Sequence, residues 1–217
     1  MPSGRQEAVD DPEPGDLRIA WVATKHPRRE ARLPDLSSRS LPEAHALLPR
    51  LALILGGARS GKSHFAENLI TRASQPALYL ATAQVRDDEM RARIVAHRAR
   101  RSALWTTIEE PLELVNRLLE CAQGSQPILV DCLTLWLANL MAAESDIGFE
   151  TERLLAALPQ MKAPVIMVAN EVGLGIVPEN ELARRFRDHA GRLHQKLAAL
   201  ADRVVFMAAG LPLTLKG

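Results

Sequence analysis

The residues best suited to chemistry are Gly56 to Ser63, GGARSGKS. They follow an apolar run, Leu51 to Leu55, and lead into a stretch of helical character from Lys62. G-x-x-x-x-G-K-S between a strand and a helix is a loop built to hold phosphates. Gly56, Gly57 and Gly61 free the backbone to turn its N–H groups inward around Ala58, Arg59 and Ser60. The positive end of the following helix faces the same anion. Lys62 is placed to reach the β- and γ-phosphates as a catalytic cation, and Ser63 to ligand a magnesium ion. Nucleotide binding is the reading these residues support.

Asp131 closes a second apolar run, ILVD. A carboxylate there is the usual second anchor for Mg²⁺ in a phosphate-loop protein. Capping of the next helix is the competing role. Ala81, Thr82 and Ala83 leave another run, ALYLA, and tight packing accounts for them equally well. Glu109 lies in a turn-like segment, TTIEEP, and says little alone. His97 lies in DDEMRARIVAHRARR with Arg93 four residues before it and Arg98, Ala99, Arg100 and Arg101 directly after. Such surroundings attract phosphate and favour a neutral imidazole, a competent nucleophile at phosphorus. A solvated basic helix face explains the same spacing. Asn170 and Glu171 end a further run, before the loop glycines Gly173 and Gly175.

Positioning these groups needs a particular scaffold. Strands are expected at Leu51–Leu55, Ala77–Ala81, Ile128–Asp131, Val165–Ala169 and Val204–Ala208. Helices are expected near Lys62–Ala73, Asp87–Arg101, Leu112–Ala122, Leu133–Ala143, Thr151–Leu158 and Asn180–Ala201. Alternation of this kind predicts an α/β domain, a mainly parallel sheet with helices on both faces. Right-handed crossovers then gather the strand C-terminal ends, and every group above, on one edge. Residues 1–50 differ: seven of the 14 prolines lie there, at 2, 12, 14, 27, 34, 42 and 49. They read as a poorly ordered extension before a domain at 51–217, with LRIAWVAT (Leu17 to Thr24) its one strand-like stretch.

Composition narrows the function classes. A net charge of +1 gives no global attraction to nucleic acid or membrane. The two cysteines, Cys121 and Cys132, have no metal-ligand spacing. There is no signal-like N-terminus and no apolar run of spanning length, so a cytoplasmic protein is expected.

GGARSGKS, ATAQ, DDEMRARIVAHRARR, VDCLTLWLANL and above all NEVGLGIVPENELARRFRDHAGRLHQKLA resemble the bifunctional adenosylcobinamide kinase/adenosylcobinamide-phosphate guanylyltransferase family. The likeness runs from about Leu51 to Lys216. It implies a RecA-like phosphate-loop fold and a homotrimer. It implies phosphorylation of adenosylcobinamide with ATP or GTP. It then implies GMP transfer from GTP through a covalently guanylylated histidine, matching His97, to give adenosylcobinamide-GDP and pyrophosphate in cobalamin synthesis. The family's GTP contacts match Gly56 to Ser63, Ala81 to Ala83, Arg98 to Arg101, Glu109 and Asp131, with Mg²⁺ at Ser63 and Asp131. His194 stands where the family usually has asparagine, and Ser102 where proline is frequent. Two other readings suit a phosphate loop: a simple small-molecule kinase without a histidine intermediate, and a regulatory NTPase.

Overall fold

The computed structural model describes residues 48–73, 76–84, 88, 95 and 103–217. Its strands are β1 (Leu51–Gly56), β2 (Ala77–Ala81), β3 (Trp105–Glu109), β4 (Ile128–Asp131), β5 (Val165–Asn170), β6 (Arg203–Ala208) and β7 (Leu211–Lys216). Its helices are α1 (Lys62–Thr71), α2 (Leu114–Cys121), α3 (Leu133–Ala142), α4 (Ile147–Ala157) and α5 (Glu181–Leu200). The strands form one sheet in the order β3-β2-β4-β5-β1-β6-β7. Every pair is parallel except the β6–β7 hairpin. This is the expected α/β phosphate-loop architecture, RecA-like in placing β5 between the loop strand β1 and the carboxylate strand β4.

The near-continuous apolar strands are explained by burial on both faces. Leu51, Leu53 and Leu55 of β1 point into a core shared with α2 to α5. Ala52 and Ile54 point the other way, toward Ala66 and Ile70 of α1. Trp136 of α3 is fully buried, and its indole N–H donates to the Leu112 carbonyl at 2.9 Å. Asp146 caps α4 and Asn180 caps α5, each side chain accepting from the backbone N–H three residues on.

The five expected strands are present, and two more join them. Trp105–Glu109, which overlaps the TTIEEP segment expected to be turn-like, is β3, paired with β2 from Ala77↔Trp105 to Ala81↔Glu109. It is a half-exposed edge strand without an apolar run. Leu211–Lys216 is β7, joined to β6 by a two-residue turn in which Ala209 (φ 51°) and Gly210 (φ 81°) are both left-handed. The expected Thr151–Leu158 helix begins earlier, at Ile147. The Asp87–Arg101 helix and Leu17–Thr24 lie outside the described residues apart from Asp88 and Val95, both helical. Pairing reaches just before Leu51: Leu48 packs on the α1-side core, and Arg50 donates to the Pro159 carbonyl at 2.6 Å.

One glycine fixes the exit from β1. Gly56 has φ 148°, and a Cβ there would stand 2.4 Å from the Met207 carbonyl oxygen of β6. A Cβ on Gly57 would meet nothing within 4 Å. Gly56→Ala should therefore destabilise the fold by about 2–4 kcal/mol in denaturant unfolding, from strain and displaced backbone. Gly57→Ala should change the midpoint little. Equal midpoints for the two variants would contradict this packing.

Candidate functional site

The C-terminal edge of the sheet collects the expected groups because parallel strands end together. Register places Glu109, Ala81 and Asp131 side by side on β3, β2 and β4. Gly56 and Asn170 are paired on β1 and β5. Beyond Gly56 the chain turns through exposed Gly57, Ala58 and Arg59, the last at φ 56°. Gly61, at φ 93°, is the N-cap of α1, so Lys62 and Ser63 open the helix. The Gly210 N–H of the β6–β7 turn donates to the Ser60 carbonyl at 3.1 Å and braces the loop from outside.

Lys62 is buried in this loop, at 7% exposure. Its ammonium donates to the Gly57 carbonyl at 2.5 Å and lies 3.5 Å from the Ser60 hydroxyl. Burial lowers its pKa below the usual lysine value, while Cys132 and Asp131 pull it back up. At neutral pH the pull comes from Asp131, because burial pushes the Cys132 thiol up to about 11 and keeps it protonated. The loop thus holds a desolvated cation, a setting in which an anion binds strongly.

Asp131 is held by a residue that the sequence did not single out. Tyr79, the chain's one tyrosine, is buried on β2 and donates its hydroxyl to Asp131 Oδ2 at 2.5 Å. The two lie on the α1 side of the sheet, where Tyr79 belongs to the core and alternation along β4 directs Asp131. A tyrosine two residues before the end of a buried strand, needing a partner for its hydroxyl, was the available signal. Thr82 is fully buried; its hydroxyl donates to the Cys132 carbonyl at 2.7 Å and accepts from the Cys132 N–H at 2.8 Å. Asn139 of α3, also unforeseen, donates to the Thr82 carbonyl at 2.8 Å. Thr82 therefore ties the exits of β2 and β4 together, between half-exposed Ala81 and Ala83.

Glu109 is exposed at the end of β3, with two strands between it and β5 and three between it and the loop strand. His97, Arg98, Ala99, Arg100 and Arg101 lie outside the described residues. Among the described residues no group of three or more His, Cys, Asp or Glu could hold a metal ion. Ser63 and Asp131 remain, two hard oxygen donors of the kind Mg²⁺ takes alongside phosphate oxygens and water. Asp131 fits that role: Tyr79 occupies Oδ2, and no protein hydrogen bond within the described residues engages Oδ1.

On the opposite face, Glu171 follows β5 with its N–H on the Gly56 carbonyl at 2.9 Å. Its carboxylate accepts from the Gly173 N–H and lies 3.9 Å from His194 Nδ1 of α5. His194 is buried, and its Nε2 has no hydrogen-bond partner among the described residues. Burial lowers its pKa, with Glu171 opposing.

Two tests follow from these burials. Lys62→Ala removes a charge that the fold gains little from, so stability should stay within about 1 kcal/mol. Affinity for a nucleoside triphosphate, measured by calorimetry, should fall about a hundredfold or more, roughly 2.7 kcal/mol. Near-normal affinity would remove Lys62 from the site. For His194, the folded pKa lies below the ordinary 6.5. The unfolded chain then binds the extra proton more readily, so the full contribution is present above pH 6.5 and is lost as pH falls through the folded value. Thermal midpoints of His194→Asn should decline less than wild type between about pH 7 and about pH 5. Parallel declines would show that another group governs acid stability.

A family model described as cobinamide kinase / cobinamide phosphate guanyltransferase matches residues 52–215. The chain is 51% identical over 167 residues to the bifunctional adenosylcobalamin biosynthesis protein CobP of Pseudomonas aeruginosa, covering 76% of this chain and 96% of that protein. It is 41% identical over 181 residues to the bifunctional adenosylcobalamin biosynthesis protein CobU of Escherichia coli, covering 76% and 99%. Among solved structures, the flagellar accessory protein FlaH from Methanocaldococcus jannaschii aligns with a TM-score of 0.47 at 14% identity, over 78% of this chain and 80% of that one. The sheet order, the phosphate loop and this match across nearly the whole of the two relatives lead to one conclusion: the chain belongs to the cobinamide kinase / cobinamide phosphate guanyltransferase family.

Proposed function

We propose that this chain carries both activities of its family in the cytoplasm: phosphorylation of adenosylcobinamide, then guanylyl transfer to adenosylcobinamide phosphate. The observation that carries the reading is the buried Lys62 ammonium in a complete phosphate loop, within a family match spanning 52–215. In the first reaction the loop presents the γ-phosphoryl group of ATP or GTP to the substrate hydroxyl, whose oxygen forms the new bond as the nucleoside diphosphate leaves. Such transfers depend mainly on positioning and charge stabilisation, which Lys62 and the N–H groups of Gly56 to Ser63 supply. Ser63 and Asp131 would hold Mg²⁺, which neutralises charge on the phosphate oxygens when bound.

In the second reaction a ring nitrogen of His97 attacks the α-phosphorus of GTP. An N–P bond forms, the bond from the α-phosphorus to the bridging oxygen breaks, and pyrophosphate leaves. A phosphate oxygen of adenosylcobinamide phosphate then attacks the same phosphorus. The N–P bond breaks, the imidazole is restored, and adenosylcobinamide-GDP is formed. The covalent histidine divides one difficult displacement into two easier ones. Arg98, Arg100 and Arg101 supply cations beside it, and Ala81 to Ala83, Ala99 and Glu109 complete the nucleotide contacts that the resemblance implies. A homotrimer is the expected assembly; Leu211, Leu213 and Leu215, all exposed on the edge strand β7, support contact between copies. Residues 1–47 are proposed to be dispensable for both reactions.

His97→Ala separates the steps. With GTP labelled at the α-phosphate, wild type should acquire protein-bound label that is acid-labile and base-stable. The variant should acquire none and form no adenosylcobinamide-GDP. It should still phosphorylate adenosylcobinamide and lose about tenfold or less in GTP affinity, roughly 1.4 kcal/mol. Comparable adenosylcobinamide-GDP formation by the variant would exclude His97 as the nucleophile.

A further inference from the structure

Between Glu171 and α5 the chain displays an apolar surface that its own fold leaves open. Leu174, Ile176 and Val177 are 82%, 97% and 60% exposed, and Leu182 at the start of α5 is 59% exposed. The segment is tied at both ends. Glu171 accepts from the Gly173 N–H, and Arg184 donates to the Pro178 carbonyl at 2.9 Å and to that of Glu179. Asn180 Oδ1 accepts from the Ala183 N–H at 3.1 Å. Four large apolar side chains facing water within nine positions of one anchored segment form a patch that a ligand would cover.

Beside this patch lies a basic groove of about 360 Å³, lined by Gly173, Arg187, Asp188, Gly191, Arg192 and Gln195. The Asp188 carboxylate lies 3.7 Å from Arg187. Arg192 is exposed and has no ion-pair partner among the described residues. Two guanidinium groups against one carboxylate leave the groove cationic. Burial lowers the His189 pKa, and Arg192 and then Arg185 lower it further, with Asp188 opposing. A Cβ on Gly191 would meet nothing within 4 Å, so the floor is open to a ligand.

The patch and groove adjoin the nucleotide end of the sheet. Asn170 pairs with Gly56, and the Glu171 N–H is bonded to the Gly56 carbonyl at 2.9 Å, at the root of the phosphate loop. The chemistry of an acceptor seated there is set by the surface: a broad apolar body with an anionic group at one side. A second copy of the chain is the other available occupant, and native mass distinguishes the two. The cationic groove also matches an acceptor that carries phosphate.

We propose that the Leu174–Val177 segment and the Arg187/Arg192 groove are the corrinoid-docking surface, the segment covering the macrocycle and the groove receiving the phosphate of cobinamide phosphate. This rests on the functional reading above and names where its acceptor binds. The test uses the full chain carrying Ile176→Asp or Arg192→Gln, both at exposed positions. GTP affinity, circular dichroism and native mass should match wild type. Ile176→Asp should raise KM about tenfold for both cobinamide and cobinamide phosphate. Arg192→Gln should raise it about tenfold for cobinamide phosphate and less than about twofold for cobinamide. Unchanged KM values in both variants overturn the docking surface while leaving the activity in place. A fall in native mass overturns it in favour of a contact between copies. A wild type that turns over neither corrinoid overturns the functional reading and the docking surface together.

Discussion

A lysine ammonium withdrawn from water is the constraint on which this site rests. Moving a cation into a protein interior costs several kcal/mol unless negative charge or well-placed oxygen atoms replace its hydration. At Lys62 the replacement is partial: one carbonyl, one hydroxyl and the field of Asp131. A polyphosphate completes it. The strand order delivers that arrangement, because β5 lies between the loop on β1 and Asp131 on β4. Tyr79, Thr82 and Asn139 then fix the Asp131 end, each through a hydrogen bond that a buried polar group requires.

The two faces of the sheet divide the proposed work. Nucleotide chemistry belongs to the α1 face, where Lys62, Ser63, Tyr79 and Asp131 lie. The α5 face carries Glu171, His194 and the arginine groove. The link between the faces is main-chain: the Glu171 N–H donates to the Gly56 carbonyl, joining the root of the phosphate loop to the start of the 171–180 segment. An enzyme that must hold a nucleotide and a bulky acceptor at once gains orientation from such a junction.

Much of this was legible in the sequence. The phosphate loop announced itself through residue spacing between a strand and a helix, and the central strands through apolar runs forced by two-sided burial. What escaped did so for physical reasons. β3 is a short edge strand with Thr106 and Glu109 toward solvent, so no apolar run marks it. β7 contains Pro212, which argues against a strand except at a sheet edge, and β7 lies at the edge. Asp146 as a helix cap was missed because α4 opens with Ile147 and Gly148 rather than a strong helical pattern. The partners of Tyr79 and Asn139 were not legible because they lie 52 and 57 positions away along the chain. Spacing alone left open whether the arginines of α5 were merely solvated; the groove they line with Gly173 required the fold.

One phosphate loop is proposed to serve both reactions on one corrinoid. Mass analysis of the products formed from adenosylcobinamide, GTP and Mg²⁺ tests this most directly. Adenosylcobinamide phosphate should appear first and adenosylcobinamide-GDP with pyrophosphate should follow, both abolished in Lys62→Ala. Release of GDP and inorganic phosphate with no change in corrinoid mass would contradict it and point to a nucleotide hydrolase.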